Sequence, residues 1–188
     1  MARKGNLYVI SGPSGAGKGT LVARVLERVP DAWVSVSATT RKPRPGEQDG
    51  VHYLFLSDEE FDRIAAADGF LEWADVHTAR YGTPLASVRE HMAAGDQVIL
   101  EIDVQGAFQV KEKLPECHLI FIDVPSRKEL LRRLRERGTE AEDVIAARMR
   151  VADMELSLKS QYDYTVVNDD IERATAELAG YIQRQAEE

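Results

Sequence analysis

A glycine-rich loop with one lysine is the segment of this sequence whose chemistry is easiest to predict. Residues 12–20 read GPSGAGKGT, directly after the apolar run Leu7–Ile10 and directly before a helical pattern. Glycines let several backbone N–H groups converge on one anion, and a lysine can follow the β- and γ-phosphates of a nucleotide. The positive end of the following helix adds to this attraction. The loop therefore predicts a phosphate-binding site made of Gly12, Pro13, Ser14, Gly15, Ala16, Gly17, Lys18, Gly19 and Thr20.

One position of this loop departs from the Walker A pattern. Gly19 stands where that pattern carries a Ser or Thr whose hydroxyl binds Mg²⁺, and Thr20 follows immediately. The residues alone leave direct ligation of magnesium by Thr20 open.

A second candidate anion site lies in a loop rich in proline and glycine. Arg41 and Arg44 flank Pro43, and Tyr53 follows on a predicted strand. The planar guanidinium group matches phosphate oxygens two at a time, and a tyrosine hydroxyl adds a neutral donor. Composition favours a solvated basic loop, and a second phosphate site is the alternative.

Two carboxylates, Glu72 and Asp103, can each be interpreted either as solvent-facing side chains or as part of a binding site. Glu72 lies between apolar residues in the segment FLEW, where strand alternation favours a side chain in water and recognition of a ligand is the alternative. Asp103 follows the apolar run Val98–Ile102, and ligands of open α/β sheets bind beyond the carboxyl ends of strands. An acid there can organise Mg²⁺ and its waters, and a solvent-facing strand end is equally compatible with the pattern.

The elements that must position these residues follow a β-α-β-α rhythm. Short apolar runs alternate with longer amphipathic segments, and the runs 98–100 and 119–122 are apolar on both faces, as in a parallel sheet covered by helices. The fold class is therefore α/β. Residues 36–70 break the rhythm and predict a β-rich lobe with an alternating strand over 51–56. Residues 128–159 predict two charged helices that meet at Gly138 and form a mobile cover.

Composition excludes several classes of protein. The 188 residues include 24 Lys+Arg and 32 Asp+Glu, which gives a formal charge of −8 and argues against a nucleic-acid partner. The single cysteine, Cys117, excludes an internal disulfide framework and a Cys-rich zinc site. We find no signal-peptide core and no apolar run of membrane-spanning length, so we expect a cytoplasmic protein without a membrane partner. The sequence does not indicate whether it is a monomer or a homo-oligomer.

Several segments together resemble the guanylate kinase family, whose members transfer a phosphoryl group from ATP to GMP. The resemblance extends over nearly the whole chain and is carried by ISGPSGAGKGT, SVSATTRKPRPGEQDGVHYLF, FLEWADVHTARYGTP, ILEIDVQG, LRERGTEAEDVIAARM and YDYTVVND. It implies a three-layer P-loop fold with a five-stranded parallel sheet. It also implies three parts: a core of residues 1–36, 94–127 and 157–188, a GMP-binding lobe of residues 37–93, and a lid of residues 128–156.

The resemblance further implies a role for each matching residue, with ATP as co-substrate together with Mg²⁺. Loop residues 12–20 would hold the phosphates of ATP, and Asn168 would lie near adenine. The residues implied for GMP are Ser37, Arg41, Arg44, Tyr53, Glu72, Tyr81, Thr83 and Asp103. Those implied for catalysis are Lys18, Arg41, Asp103, Arg137 and Arg148. Thr20 and, through water, Asp103 would contact the metal, whereas Glu101 and Arg133 match the family less closely.

Two other functions stay open at this point. One is a guanylate-kinase-like module that binds phosphopeptides without catalysis, although such modules usually lose the phosphate loop that this chain keeps. The other is a kinase for a different small phosphate ester.

Overall fold

The computed structural model describes residues 4–76, 78–136 and 141–187. Its strands are β1 Asn6–Ser11, β2 Ala32–Val34, β3 Ala38–Thr39, β4 Leu54–Phe55, β5 Phe70–Val76, β6 Ala79–Pro84, β7 Gln97–Glu101, β8 His118–Asp123 and β9 Tyr164–Val167. Its α-helices are α1 Lys18–Arg28, α2 Asp58–Ala66, α3 Leu85–Ala94, α4 Val104–Lys113, α5 Arg127–Glu136, α6 Glu142–Ser157 and α7 Ile171–Gln185. A short 3₁₀ helix spans Lys159–Gln161.

The central sheet has five parallel strands in the order β2-β7-β1-β8-β9. Its inner strands are buried on both faces because successive apolar side chains of β1 and β8 point to opposite helical layers. Tyr8 and Ile10 belong to the core formed with α1 and α7, whereas Leu7 and Val9 belong to the core formed with α4. The predicted α/β class and the parallel five-stranded sheet are confirmed.

A second sheet of four strands, in the order β4-β3-β6-β5, forms the predicted β-rich lobe. Helix α2 covers it, and Ala38, Phe61 and Phe70 form its small core. The expected strand over residues 51–56 is wrong in its extent, because only Leu54–Phe55 is extended. The residues before it form a turn instead, with Gly50 at φ 73° and its N–H donating to the Tyr53 carbonyl at 2.8 Å.

The two charged helices predicted for the lid are confirmed as α5 and α6. Their predicted meeting point, Gly138, lies outside the described residues. Within the described part of the chain, no helix combines the length and apolar character that crossing a membrane requires.

Candidate active site

The glycine-rich loop joins β1 to α1 at the carboxyl edge of the central sheet, where α/β proteins bind ligands. Gly17 is the N-cap of α1 and has a φ of 86°, so the loop enters the helix through a left-handed residue. At Gly12 the φ is 143°, and a Cβ would lie 2.3 Å from the Ile122 carbonyl oxygen. These two positions therefore need glycine, and glycine lets the backbone adopt the curled conformation that binds an anion.

A cavity of about 330 Å³ lies against this loop and is called the loop cavity below. It is lined by Ser14, Gly15, Gly17, Lys18, Gly19, Thr20 and Glu101. The Lys18 ammonium donates to the carbonyls of Gly12 at 2.6 Å and Pro13 at 3.3 Å, which folds the side chain back over the loop. The loop cavity therefore combines backbone amides, the positive end of α1 and a lysine charge, a combination suited to a polyphosphate.

Asn168 supports the loop from beneath. Its side-chain amide donates to the Ala16 carbonyl at 2.7 Å, and the residue is only 5 % exposed. Arg133 donates to the Asn168 carbonyl at 2.8 Å, which ties α5 to the same point. This hydrogen bond gives Arg133 a structural role. That Asn168 lies near adenine stays a prediction.

A second cavity, of about 170 Å³, lies between the lobe and the central sheet and is called the lobe cavity below. Its lining contains the predicted residues Ser37, Tyr53, Glu72, Tyr81 and Asp103, together with Ala74, Val76, Gly82, Glu101 and Ile102. Glu101 also lines the loop cavity, so the two cavities adjoin at this carboxylate.

Glu72 lies at the base of the lobe cavity and is only 8 % exposed, so the expectation of a solvent-facing side chain is wrong. Its strand β5 pairs with β6 and packs under the first turn of α4, which covers the face that alternation alone assigns to water. The Thr83 hydroxyl donates to Glu72 Oε1 at 2.6 Å. Burial raises the pKa of Glu72, the Thr83 hydrogen bond opposes that rise, and the charge of nearby Asp103 adds to it. The result is a buried acceptor, one oxygen of which already accepts a hydrogen bond from Thr83.

The Arg41 guanidinium is held in place on several sides. It forms a two-point ion pair with Glu47, both bonds being 2.9 Å, and its Nε donates to the Tyr81 hydroxyl at 3.2 Å. It also lies 5.4 Å from the centre of the Tyr53 ring. The Arg41 hydrogen bonds, followed by the Arg44 backbone N–H at 2.8 Å, lower the pKa of the Glu47 carboxyl to about 2. Arg44 itself has an exposed side chain at the edge of this loop.

Asp103 is the N-cap of α4 and accepts a hydrogen bond from the Gly106 N–H at 2.8 Å. The Ser11 hydroxyl donates to the carbonyls of Ile102 at 2.8 Å and Asp103 at 3.1 Å, which holds the carboxyl ends of β1 and β7 side by side. Desolvation raises the pKa of Glu101, and the charge of Lys18 opposes that rise. Glu101 thus lies where the loop and lobe cavities meet, and Asp103 lines the lobe cavity.

Known proteins are similar to this chain over nearly its whole length. The family model described as guanylate kinase matches residues 4–185. The chain belongs to the guanylate kinase family. It is 50 % identical over 182 residues to a guanylate kinase of Streptomyces kasugaensis, covering 97 % of this chain and 89 % of that one. It is 49 % identical over 186 residues to a guanylate kinase of Synechococcus sp. (strain CC9902), covering 99 % of this chain and 100 % of that one.

A solved structure agrees with these relatives. The crystal structure of guanylate kinase from Anaplasma phagocytophilum matches with a TM-score of 0.76 and 31 % identity, covering 100 % of this chain and 89 % of that chain. The resemblance seen in the sequence is therefore confirmed at the level of family and fold.

The lid that the guanylate kinase family resemblance implies reaches the phosphate loop through α6. Arg148 donates to the Ser14 hydroxyl at 3.4 Å, a long hydrogen bond that places its guanidinium at the rim of the loop cavity. Arg137, the other lid arginine predicted for catalysis, lies outside the described residues. Among the residues that are described, no three His, Cys, Asp or Glu side chains form a group able to hold a metal ion.

Glu47 is a residue of the site that the sequence does not single out. The available signal was its spacing, since a carboxylate three residues after Arg44 and six after Arg41 can reach back within one turn of loop. The spacing indicates an ion pair only when the turn is known. In the structure the Glu47 N–H donates to the Arg44 carbonyl and closes the turn.

Proposed function

We propose that this protein transfers the γ-phosphoryl group of ATP to GMP and so forms ADP and GDP. The observation that carries the proposal is the pair of adjoining cavities, one lined by the phosphate loop and the other by a buried carboxylate. Two tyrosines of the second cavity, Tyr53 and Tyr81, contact the clamped Arg41. The guanylate kinases of Streptomyces kasugaensis and Synechococcus support the proposal by their likeness over nearly the full chain.

The buried carboxylate is suited to guanine. Guanine presents two adjacent N–H donors, at N1 and N2, which the Glu72 carboxylate would accept together, whereas adenine turns a lone pair at N1 toward it. Ser37 and Thr83 would complete the contacts with the base. Because a wrong base leaves buried polar groups unpaired, such a site discriminates more strongly than shape does.

The phosphate of GMP would bind to Arg41, Arg44, Tyr53 and Tyr81. Arg41 is already oriented by Glu47 and Tyr81, so little freedom remains to be lost when the phosphate binds. Arg44 adds a second guanidinium at the open side of the same loop. The planar donor fork of arginine gives these contacts direction as well as charge.

The chemical step needs positioning and charge neutralisation more than it needs a base. The acceptor is a phosphate oxygen that is already anionic, so no strong general base is required. Lys18 and the loop amides would stabilise charge on the donor phosphates, and Arg148 and Arg137 would add charge from the lid. Closure of the lid and the lobe over both nucleotides would exclude water, so that ATP is not hydrolysed.

The donor set of the site fits a magnesium ion that arrives with ATP. Mg²⁺ keeps several waters and is bound through one or two protein ligands together with the phosphates of the substrate. The Thr20 hydroxyl and the Glu101 carboxylate line the loop cavity, and Asp103 lines the adjoining one. When bound, the ion would neutralise charge between the phosphates, with Thr20 as a ligand and the two acids ordering its waters.

We also propose the cytoplasm as the place of this reaction, with small molecules alone as partners. The net charge of −8 opposes binding to nucleic acid, and the single cysteine suits a reducing compartment.

The function is tested by an assay of ADP formation with ATP, Mg²⁺ and either GMP, AMP, UMP or dTMP. GMP is expected to exceed the other acceptors by roughly 10⁴-fold in kcat/KM, the factor typical of sites that select through hydrogen bonds. Comparable turnover of AMP, UMP or dTMP would instead indicate a kinase for another phosphate ester. Binding of phosphopeptide without any turnover of GMP would indicate a recognition module.

Replacing Glu47 by Gln is expected to raise the KM for GMP about tenfold with little change in kcat. The change removes the charge-assisted contact that orients Arg41, a loss of order 1.4 kcal/mol in phosphate binding. Steady-state kinetics in GMP, at saturating ATP, measures this. Glu172→Gln is the matched control, because Glu172 also pairs with two arginines, Arg24 and Arg28, but lies outside the linings of both cavities. An unchanged or lower KM in Glu47→Gln would mean that Glu47 competes with the phosphate instead of orienting Arg41.

A further inference from the structure

We propose that Gly106, in the first turn of α4, is a positioning residue that fixes the Glu72 carboxylate for recognition of guanine. The inference rests on the proposed function, since it concerns how the same site selects its acceptor. Gly106 lies outside the set of residues predicted from the sequence. Because it has no side chain, its backbone can lie close to the Glu72 carboxylate.

The contact is close. A Cβ at residue 106 would lie 3.1 Å from Glu72 Oε2 and 3.4 Å from its carboxyl carbon. It would also lie 3.2 Å from Ile102 Cδ1. Two of these approaches are tighter than ordinary van der Waals contact, so a neighbour must shift by a few tenths of an ångström to admit a methyl group.

This packing explains why residue 106 is a glycine, since its backbone conformation does not require one. Gly106 lies inside a helix, where alanine is the better former, and its φ is not among the positive values of this chain. A glycine that weakens a helix in this way usually has a packing or functional reason. Here the bare Cα forms the surface against which Oε2 rests.

The surrounding contacts decide which group would move. The Gly106 N–H donates to Asp103 Oδ1 at 2.8 Å, and Asp103 is tied through its own carbonyl to the Ser11 hydroxyl, so the start of α4 is fixed. Glu72 Oε1 is held by Thr83 at 2.6 Å, so the carboxylate can yield mainly by turning about that bond. Turning would misdirect the carboxylate oxygens that would accept the N1 and N2 donors of guanine, without opening the core.

The test is Gly106→Ala, compared with the wild-type protein in kinetics with GMP and with inosine monophosphate, which lacks the N2 amino group. We expect the KM for GMP to rise about tenfold, below the roughly 10²-fold that a 1 Å misplacement costs, with kcat and the KM for ATP within twofold of wild type. The preference for GMP over inosine monophosphate should shrink, because the contact to N2 depends on the orientation of the Glu72 carboxylate.

Gly180→Ala is the matched control. Gly180 is also helical, and a Cβ there would meet only the flexible end of Arg184, at 3.3 Å, so Gly180→Ala should unfold at or above the temperature of wild type. Gly106→Ala should also remain folded, because only a small shift of its neighbours is needed. Gly180→Ala should leave all kinetic constants unchanged. A Gly106→Ala protein with wild-type KM and wild-type preference would overturn the inference, as would a uniform loss of kcat with both acceptors accompanied by a lower unfolding temperature. Lack of GMP turnover in the wild-type protein would instead overturn the proposed function.

Discussion

Lys18→Ala is expected to lower kcat for phosphoryl transfer by about 10²–10³-fold or more while leaving the fold intact. Removal of one preorganised donor from a developing anion costs about 2.7–4 kcal/mol in other enzymes, and Lys18 carries a full charge in the loop cavity. In this structure its ammonium donates to the carbonyls of Gly12 and Pro13. The loop itself is held by Asn168 and by the packing of α5, so its shape should survive the substitution.

Single-turnover measurement of ADP formation, combined with circular dichroism and thermal unfolding, tests this expectation. Lys4→Ala is the control, because Lys4 is exposed and lies beyond the amino end of β1, opposite the end that carries the loop. That variant should keep wild-type turnover. Near-normal turnover in Lys18→Ala would show that the glycine-rich loop is not the donor site.

Glu72→Gln is expected to weaken use of GMP by roughly 1.5–3 kcal/mol, about 10- to 150-fold in kcat/KM, the range for a hydrogen bond to a charged group. Gln keeps the size of the side chain, and its carbonyl oxygen can still accept the Thr83 hydrogen bond. Its amide group, however, presents N–H donors toward the N–H donors of guanine. Unchanged kinetics with GMP would remove Glu72 from the site.

The same variant should be more stable than the wild-type protein near neutral pH. The folded-state pKa of Glu72 is raised above its ordinary value, so the fold favours the protonated carboxyl. The stability that this preference contributes is fully present below the unfolded pKa and is lost as pH rises through the folded pKa. At pH 7 the wild-type protein therefore bears the cost of a buried charge, which Gln removes.

Urea unfolding of both proteins at pH 7 and pH 4 measures this difference. The advantage of Glu72→Gln should be present at pH 7 and should shrink at pH 4, where the wild-type carboxyl is largely protonated. A variant less stable than wild type at pH 7 would show that neighbouring groups stabilise the Glu72 carboxylate by more than its burial costs.

The phosphate loop was predictable from sequence because its chemistry is local. The spacing of Gly12, Gly15, Gly17 and Lys18 already defines a loop between a strand and a helix, and the structure places these residues as expected. The five-stranded sheet was likewise predictable in kind, since apolar runs without polar alternation require cover on both faces.

Glu72 could not be placed from its own segment. Its burial depends on α4, which begins at Val104, and on Thr83 of the neighbouring strand, so alternation within FLEW pointed to water. The resemblance to the guanylate kinase family assigned the residue to the base, and the lobe cavity is consistent with that assignment. Residue types alone also left the arginine loop ambiguous, because the Arg41 to Glu47 pair exists only in the folded turn.

Gly106 is an example of a residue that cannot be assigned to a site from its residue type. It supplies no charge, donor side chain or metal ligand, and its place in an ordinary helix gives no turn signal. Only the distance from its missing Cβ to Glu72 shows what a larger residue would disturb.

Calorimetric titration shows whether the loop cavity and the lobe cavity bind their two nucleotides at the same time. GMP is titrated into the protein alone and into the protein saturated with a non-hydrolysable ATP analogue and Mg²⁺. We expect one GMP bound per chain in both titrations, with affinity equal or higher when the analogue is present. Exclusion of GMP by the analogue, or failure of GMP to bind in either titration, would contradict this expectation.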